Sequence, residues 1–405
     1  SAILHNITGT CNASLMQFDA AIVHYKQAII IYPNYADAYN NMGIALNGKG
    51  DLEAAIKSCR QALKIKPDYA EAHNNMDNAL LDKGDLEAVI DSYNNALTIK
   101  PNYSEALYNI GNALKDKGDL DVAIQHYKQA IHINPNYALA YNNMGLTLSA
   151  KGDVETAIKS YEKVISIDPY HADAFYNKGN ALVKKGDLAV GIESYKMALK
   201  IKHDHHSARA NKLHNQSHIC DWVAIDQDQH LIPNLGTSTE AISPFVLQSL
   251  EDAPERHRLR SEIFNKKLYR YNTSLPLAER PSKVPERLRI GYFSADFHEH
   301  AVAYLIAKVL ETHDRKRFEI YGYSIGPSKD DEMRQRLIKA FDVFDDVSEM
   351  NNQDAALLAR RDKIDIAIDL TGYTQNSRQG IFAHRAAPVQ INYLGYSGTM
   401  GTDFI

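Results

Sequence analysis

Apolar and polar positions along the chain follow two different rhythms. Over the first two hundred residues the apolar side chains recur at steps of three and four, the spacing of one helix face. In the stretch "NYADAYNNMGIALNGKGDLEAAIKSCRQALKIKP", Ala38, Met42, Ala45 and Leu46 predict a first helix, and Leu52, Ala55, Ile56, Ala62 and Leu63 a second. Gly50 suits the left-handed turn that closes a helix. Asp51 follows with a carboxylate for the free amides of the next helix, and Pro67 ends that helix because it lacks an amide hydrogen. Small side chains at Gly43 and Ala55 allow the two helices to approach closely. The unit then repeats. Pro33, Pro67, Pro101, Pro135 and Pro169 stand 34 residues apart, as do Gly50, Gly84, Gly118, Gly152 and Gly186. A second series, Gly43, Gly111, Gly145 and Gly179, is interrupted by Asp77. Five asparagines, Asn41, Asn75, Asn109, Asn143 and Asn177, keep the same register. Their amides either bond the neighbouring repeat and order the stack, or form a ladder that holds an extended peptide by its backbone.

From Leu288 the rhythm changes. "LRIGYF", "FEIYGYSI", "VFDDV", "IDIAIDL" and "VQINYLGY" are short apolar runs rich in Ile, Val, Tyr and Phe, and helical segments separate them. Strands alternating with helices at this spacing predict a parallel sheet covered on both faces. Ligands of such sheets sit at the carboxyl ends of the strands. Three polar loops leave strands on that edge: "SADFHEH" (294–300), "TGYTQNSR" (371–378) and "GYSGTMGTD" (395–403). The expected organisation is a repeat array over 1–204 with a weak first repeat, a helical connector and proline-punctuated linker over 205–287, and an α/β lobe over 288–405.

Composition narrows the chemistry. A net charge of -5 over 405 residues gives no reason to expect nucleic acid or an anionic membrane as partner. Cys11, Cys59 and Cys220 are scattered, which argues for a reducing compartment, expected to be the cytoplasm, and against a disulfide framework. The start, "SAILHNITGTCNAS", lacks the basic and apolar regions of a signal peptide. Both ends read as cut, so a longer protein is expected. The α/β half has neither a G-x-G-x-x-G nor a Walker loop. "HEH" at 298–300 lacks the spacing of a zinc-protease motif, and "HDHH" at 203–206 reads as a solvated helix end, so no metal is expected at the site.

The 34-residue unit resembles the tetratricopeptide repeat across 35–204. Residues 1–34 match only in their second half, with Thr8 and Asn12 at usually apolar positions. Such repeats followed by "LRIGYFSADFHEHAVAYLI", "KIDIAIDLTGYTQNSR" and "RAAPVQINYLGYSGTMG" are similar to the protein O-GlcNAc transferase and SPINDLY family. The resemblance implies a GT-B type enzyme with two Rossmann-like lobes, of which this chain supplies the first. It implies inverting transfer of a sugar from a nucleotide donor to protein Ser or Thr without a required metal or cofactor. UDP-GlcNAc is the first choice of donor and GDP-fucose the second. The second lobe, with most of the nucleotide-binding residues, is expected beyond Ile405, so this chain should fold but not catalyse alone. His300 matches the histidine of the family's D-F-x-x-H loop, which begins at Asp296. Gly372, Tyr373 and Thr374, with Gly395, Tyr396, Gly398 and Thr399, match cleft-lining loops. Tyr304 and Asp365 stand where animal O-GlcNAc transferases carry histidines and match the SPINDLY branch, whose plant members transfer fucose. Ser397 replaces a usual proline. The resemblance favours the acceptor-ladder reading of the five asparagines, on the concave face of the array, and leaves His298 as a solvated neighbour. A different class of function, a non-catalytic repeat scaffold for protein–protein interaction, is the alternative.

Overall fold

In a computed structural model the described residues are 1–83, 86–238, 240–269, 285–327 and 329–405. Gly84 and most of the proline-punctuated linker lie outside them. The chain divides into two compact units, Ser1–Lys185 and Gly186–Ile405. No helix among the described residues is long and apolar enough to cross a membrane.

The first unit is a solenoid of antiparallel helix pairs. They are α1 (Ala2–Ser14) with α2 (Phe18–Ile31), α3 (Ala36–Lys49) with α4 (Leu52–Ile65), and α5 (Ala70–Lys83) with α6 (Leu86–Ile99). The pairs α7 (Ser104–Lys117) with α8 (Leu120–Ile133) and α9 (Ala138–Lys151) with α10 (Val154–Ile167) follow, then α11 (Ala172–Lys185). Local chemistry ends α3, α7 and α9 as expected. Gly50, Gly118 and Gly152 adopt positive φ (87°, 98° and 96°), and the Asp51 carboxylate accepts from the Ala54 amide at 3.3 Å. The second glycine series is a matter of space. A Cβ added at Gly111 or Gly145 would lie 2.6 Å from the ring of Tyr127 or Tyr161, which are buried on the facing helix. The first repeat is complete in three dimensions, with Gly9 against Tyr25. Thr8 and Asn12 satisfy their polar groups on the carbonyls of Leu4 and Thr8, one turn back. Exposed ion pairs thirty residues apart, such as Lys49–Asp19, Lys83–Glu53 and Lys117–Glu87, link successive repeats at 2.5–2.7 Å. Each adds well under about 1 kcal/mol.

The second unit opens with α12 (Leu188–Ile201), α13 (His206–His218), α14 (Trp222–Asp228), a 3₁₀ turn (Gln229–Asn234), α15 (Pro244–Leu247) and α16 (Pro254–Leu268). Arg260 of α16 is fully buried, donates to the carbonyls of Leu235 and Ile232 at 2.7 and 2.8 Å, and pairs with Glu251. These contacts fix α16 on the connector. Five parallel strands follow: β1 (Leu288–Ser294), β2 (Phe318–Ser324), β3 (Val343–Asp346), β4 (Ile366–Asp369) and β5 (Val389–Asn392), in the order β3-β2-β1-β4-β5. Helices α17 (Ala301–Thr312), α18 (Glu332–Ala340), α19 (Asn352–Arg361) and α20 (Gly380–Ala383) connect them. Alternation along each strand sorts the core. Ile290, Tyr292, Ile320 and Ile368 pack with residues of α17 and α18. Phe293, Tyr323 and Ala367 pack with residues of α19 and α20. Full burial of a side chain such as Phe293 contributes about 1.5–3 kcal/mol. Strand order runs outward from β1 to β3 and then restarts on the other side with β4. The loops after β1 and β4 therefore diverge, and a crevice opens between them.

Candidate active site

The loop after β1 carries the densest cluster of titratable groups at this crevice. Ser294 closes the strand, and its Oγ accepts from the Asp296 amide at 3.0 Å. Asp331 then pins the loop from the next crossover: its carboxylate accepts from the Glu299 amide at 2.8 Å and caps α18 through the Arg334 amide at 2.8 Å. The buried Arg334 side chain adds bonds to the Phe297 carbonyl, Ser324 Oγ and Asp346, at 3.3, 3.1 and 2.8 Å. Sequence reading passed over both residues, because they lie in a separate crossover.

His300 is the N-cap of α17, with its Nδ1 accepting from the Val302 amide at 3.3 Å. In that arrangement the neutral ring carries its proton on Nε2, so the exposed edge presents a donor. Asp296 Oδ2 lies 3.7 Å from the same Nδ1. Burial raises the pKa of the Asp296 carboxyl, and His300, His298 and Lys329 offset this. His298 is not free in solvent, since its Nε2 lies 3.3 Å from Lys329 Nζ. Burial and that ammonium lower its pKa and favour the neutral ring. Tyr304 is exposed one turn into α17, and its hydroxyl donates to Glu299 at 3.2 Å.

The loop after β4 is organised by a residue that lies within the quoted motif but is not among the candidate site residues. Asp369 is fully buried and accepts from the amides of Thr371 (2.9 Å) and Gly372 (3.0 Å), from Gln379 Nε2 (2.8 Å) and from Asn392 Nδ2 (3.1 Å). Burial raises its pKa, and these four donors oppose the rise. A carboxylate ending an apolar strand just before Thr-Gly is the signal that would have found it. Gly372 has φ 61°, and a Cβ there would meet Tyr396 at 2.1 Å, so only glycine fits. Thr374 turns inward and donates to the Thr371 carbonyl at 2.8 Å. Ala295 donates to Thr371 Oγ1 at 3.3 Å, which joins the two loops across the crevice.

Three of the residues matched to a cleft lie elsewhere. Asp365 precedes β4 at its amino end, on the edge opposite the loops, and accepts from the Arg289 amide at 2.9 Å. The strand runs away from it toward Asp369, so it cannot line the crevice. Tyr373 and Tyr396 reach the right loops but are buried, with their rings edge-on at 5.2 Å. Tyr373 is hydrogen-bonded to Asn265 and the Met400 carbonyl. Burial raises both phenol pKa values, that of Tyr396 to about 12. These rings are packing. Gly395 sits against the end of β4, where a Cβ would fall 1.7 Å from the Leu370 carbonyl oxygen, and Gly398 lies against Tyr396. The Thr399 carbonyl accepts from Ser261 Oγ at 2.9 Å, and Ser397 Oγ accepts from Gln248 at 2.9 Å. A cleft of about 680 Å³ lies between this loop and α16, lined by Arg258, Lys266, Asn392, Gly398, Thr399 and Thr402 among others.

In the first unit the five asparagines are half-buried, and all spend amide hydrogens on partners within the stack. Asn41 donates to Asn6 (3.2 Å), Asn75 to Asn40 (2.9 Å) and Asn109 to the Tyr93 hydroxyl (2.9 Å). Asn143 donates to Tyr108 and Asn112 (3.0 and 2.8 Å), and Asn177 to Asn142 (3.1 Å). The stack-ordering role is therefore present. Each amide has two hydrogens and two lone pairs, so these contacts leave part of its capacity for another partner.

A solenoid of helical repeats joined to a parallel α/β sheet with polar loops at its switch point defines the class, a repeat protein carrying a ligand-binding α/β lobe. Residues 256–405 match the glycosyl transferase family 41 model, and tetratricopeptide repeat models match segments between 15 and 205. The chain is 38% identical over 138 residues to the probable UDP-N-acetylglucosamine–peptide N-acetylglucosaminyltransferase SEC of Arabidopsis thaliana, covering 32% of this chain and 14% of that protein. It is also 38% identical over 121 residues to the UDP-N-acetylglucosamine–peptide N-acetylglucosaminyltransferase of Caenorhabditis elegans, covering 30% and 10%. The probable UDP-N-acetylglucosamine–peptide N-acetylglucosaminyltransferase SPINDLY of Arabidopsis thaliana is 38% identical over 123 residues, covering 29% and 14%. Among solved structures, a Thermobaculum terrenum O-GlcNAc transferase mutant aligns with 75% of this chain and 52% of its own, at 27% identity and a TM-score of 0.44. The glycosyl transferase family 41 match covers the α/β part of the chain, and the aligned segments span only 10–14% of the length of these curated relatives.

Proposed function

We propose that the chain forms one wall of an inverting protein O-glycosyltransferase of GT-B type, with UDP-GlcNAc as donor and the repeats holding the acceptor. The observation that carries this reading is the pair His300 and Asp296 at the mouth of the β1/β4 crevice, on a segment of glycosyl transferase family 41. In an inverting transfer the acceptor hydroxyl oxygen attacks the anomeric carbon from the face opposite the nucleotide. The new C–O bond forms as the bond to the diphosphate oxygen breaks, the diphosphate keeps the electron pair, and the hydroxyl proton leaves to a base or to solvent. His300 holds the Val302 amide through Nδ1, so its free Nε2–H is a donor suited to a sugar or phosphate oxygen. Taking the acceptor's proton would require the ring to give up the helix cap. Orientation of donor and acceptor is its role here, with the Asp296 carboxylate 3.7 Å from its Nδ1.

The names of the relatives favour UDP-GlcNAc, including the SPINDLY one. GDP-fucose is the second donor, because Tyr304 is the SPINDLY-like residue on the exposed face of α17. In a protein carrying both lobes, His300→Ala should lower the initial rate on a protein acceptor at least tenfold with folding unchanged. A rate within about twofold of wild type, roughly 0.5 kcal/mol in the barrier, would remove His300 from the site. Running each donor separately decides between the sugars.

A further inference from the structure

The histidines of the connector are not used by the site above, yet two of them meet in a defined geometry. His214 and His218 stand one turn apart on α13, and their Nε2 atoms are 3.2 Å apart with the rings edge-to-face at 78°. His214 is half-buried and packs edge-on against Phe245 at 5.7 Å, which fixes its ring, while His218 is exposed. The neighbouring cations are engaged elsewhere: Arg209 and Lys212 both pair with Asp228, at 3.3 and 2.5 Å.

We propose that His214 and His218 form a two-imidazole site for a borderline divalent transition ion, Zn²⁺, Ni²⁺ or Cu²⁺, that clasps the last turn of α13. Imidazole nitrogens bind such ions at about 2.0–2.1 Å, so two cis ligands stand roughly 2.9–3.4 Å apart. The observed separation falls in that window without any rotamer change. Imidazole is a ligand type these ions favour, and a pair one helical turn apart is a spacing used to bind zinc on a helix. Burial, together with His218, lowers the His214 pKa, which keeps its lone pair available near neutral pH. No cluster of three or more His, Cys, Asp or Glu suited to a metal is present among the described residues, so water or a partner supplies the remaining ligands. Cys220 is exposed two residues beyond His218 and is not a ligand in this assignment.

A shared proton between the two rings would give the same separation, and His218→Gln separates the two readings. Glutamine keeps a hydrogen bond to His214 but cannot chelate. The whole chain is titrated with Zn²⁺ at pH 7.5 by calorimetry, and with Cu²⁺ by electron paramagnetic resonance. Wild type and Cys220→Ser should take up the ion, raise their melting temperatures with ion concentration, and show copper hyperfine coupling to two imidazole nitrogens. His218→Gln and His214→Ala should each lose one bound equivalent, and His218→Gln should keep its metal-free melting temperature. The His5–His24 pair, whose Nδ1 atoms are also 3.2 Å apart, lies on other helices and should be unaffected by these changes. An equal count of bound ions in wild type and His218→Gln would overturn the proposal, as would loss of the equivalent in Cys220→Ser.

Discussion

Asp77 offers the sharpest test of how the repeats are built. It occupies, on α5, the place held by Gly43, Gly111 and Gly145 in other repeats, and it is 1% exposed. Its carboxylate is enclosed near the hydroxyls of Tyr93 and Ser92. Burial raises its pKa from the ordinary 3.8 to about 6, and Tyr93, Ser92 and His73 offset only part of that effect. Cys59, on α4, and Tyr103 are the other titratable groups facing it. A folded pKa above the unfolded one means that the unfolded chain loses its proton first. Stability is therefore full below about pH 3.8 and declines as pH rises through 6. The gap between those values, at about 1.4 kcal/mol per pH unit, corresponds to ~3 kcal/mol lost by pH 7.5. Asp77→Asn removes the charge at nearly constant shape. It should stabilise α5 and α6 by ~3 kcal/mol at pH 7.5 and by almost nothing at pH 4. Because a repeat array couples mainly to nearest neighbours, the gain should appear in urea melts followed by circular dichroism and in slower amide exchange of α5 and α6. Every other group is common to both proteins, so the difference between variant and wild type isolates Asp77. A difference that stays constant from pH 4 to 8, or wild type more stable at pH 7.5, would refute the reasoning.

Three further outcomes follow from the geometry. Met16 adopts φ 58° where other repeats place glycine, so Met16→Gly should raise stability by about 1 kcal/mol in thermal melts. Asp369→Ala strands three buried donors and the half-buried Asn392 amide and should cost at least ~3 kcal/mol in chemical denaturation, with the β4 loop losing exchange protection first. Replacing Asn75, Asn109 and Asn143 together by Ala should weaken acceptor peptides in a binding titration. It should also lower the melting temperature, since each amide bonds within the stack at about 1 kcal/mol.

The fold was legible because its signals are periodic and local. A 34-residue spacing of Pro and Gly needs no tertiary information, and each short apolar run from Leu288 onward became a strand at or within a few residues of its quoted ends. What escaped were positions where tertiary space overrides local pattern. Met16 takes the left-handed turn without glycine, directly before Gln17 caps α2. The first repeat reads as weak, but its polar Thr8 and Asn12 bond along their own helix, a compensation invisible in a hydrophobic pattern.

The site residues divide along a physical line. Motif matching transfers a position in the chain, whereas chemistry depends on which end of a strand that position occupies and which way the side chain turns. His300 and Asp296 follow a strand end, so their placement at the crevice follows from topology alone. Asp365 is only four residues from Asp369, yet a strand rises about 3.3 Å per residue, which carries it to the far edge of the sheet. Tyr373 and Tyr396 are in the right loops, but their rings fill the space between α16 and the sheet. Asp369, quoted within a motif but not singled out as a site residue, sets the path of both the 371–378 loop and, through Asn392, the entry to the 395–403 loop. A buried carboxylate with four donors tolerates little displacement, because any donor it loses stays unsatisfied in a low-dielectric interior. The residues open to a ligand include His300 and Tyr304 after β1 and, beside α16, Gly398 and Thr399 of the 395–403 loop. Asp369, Tyr373 and Tyr396, all buried, hold the 371–378 and 395–403 loops in one shape around that surface.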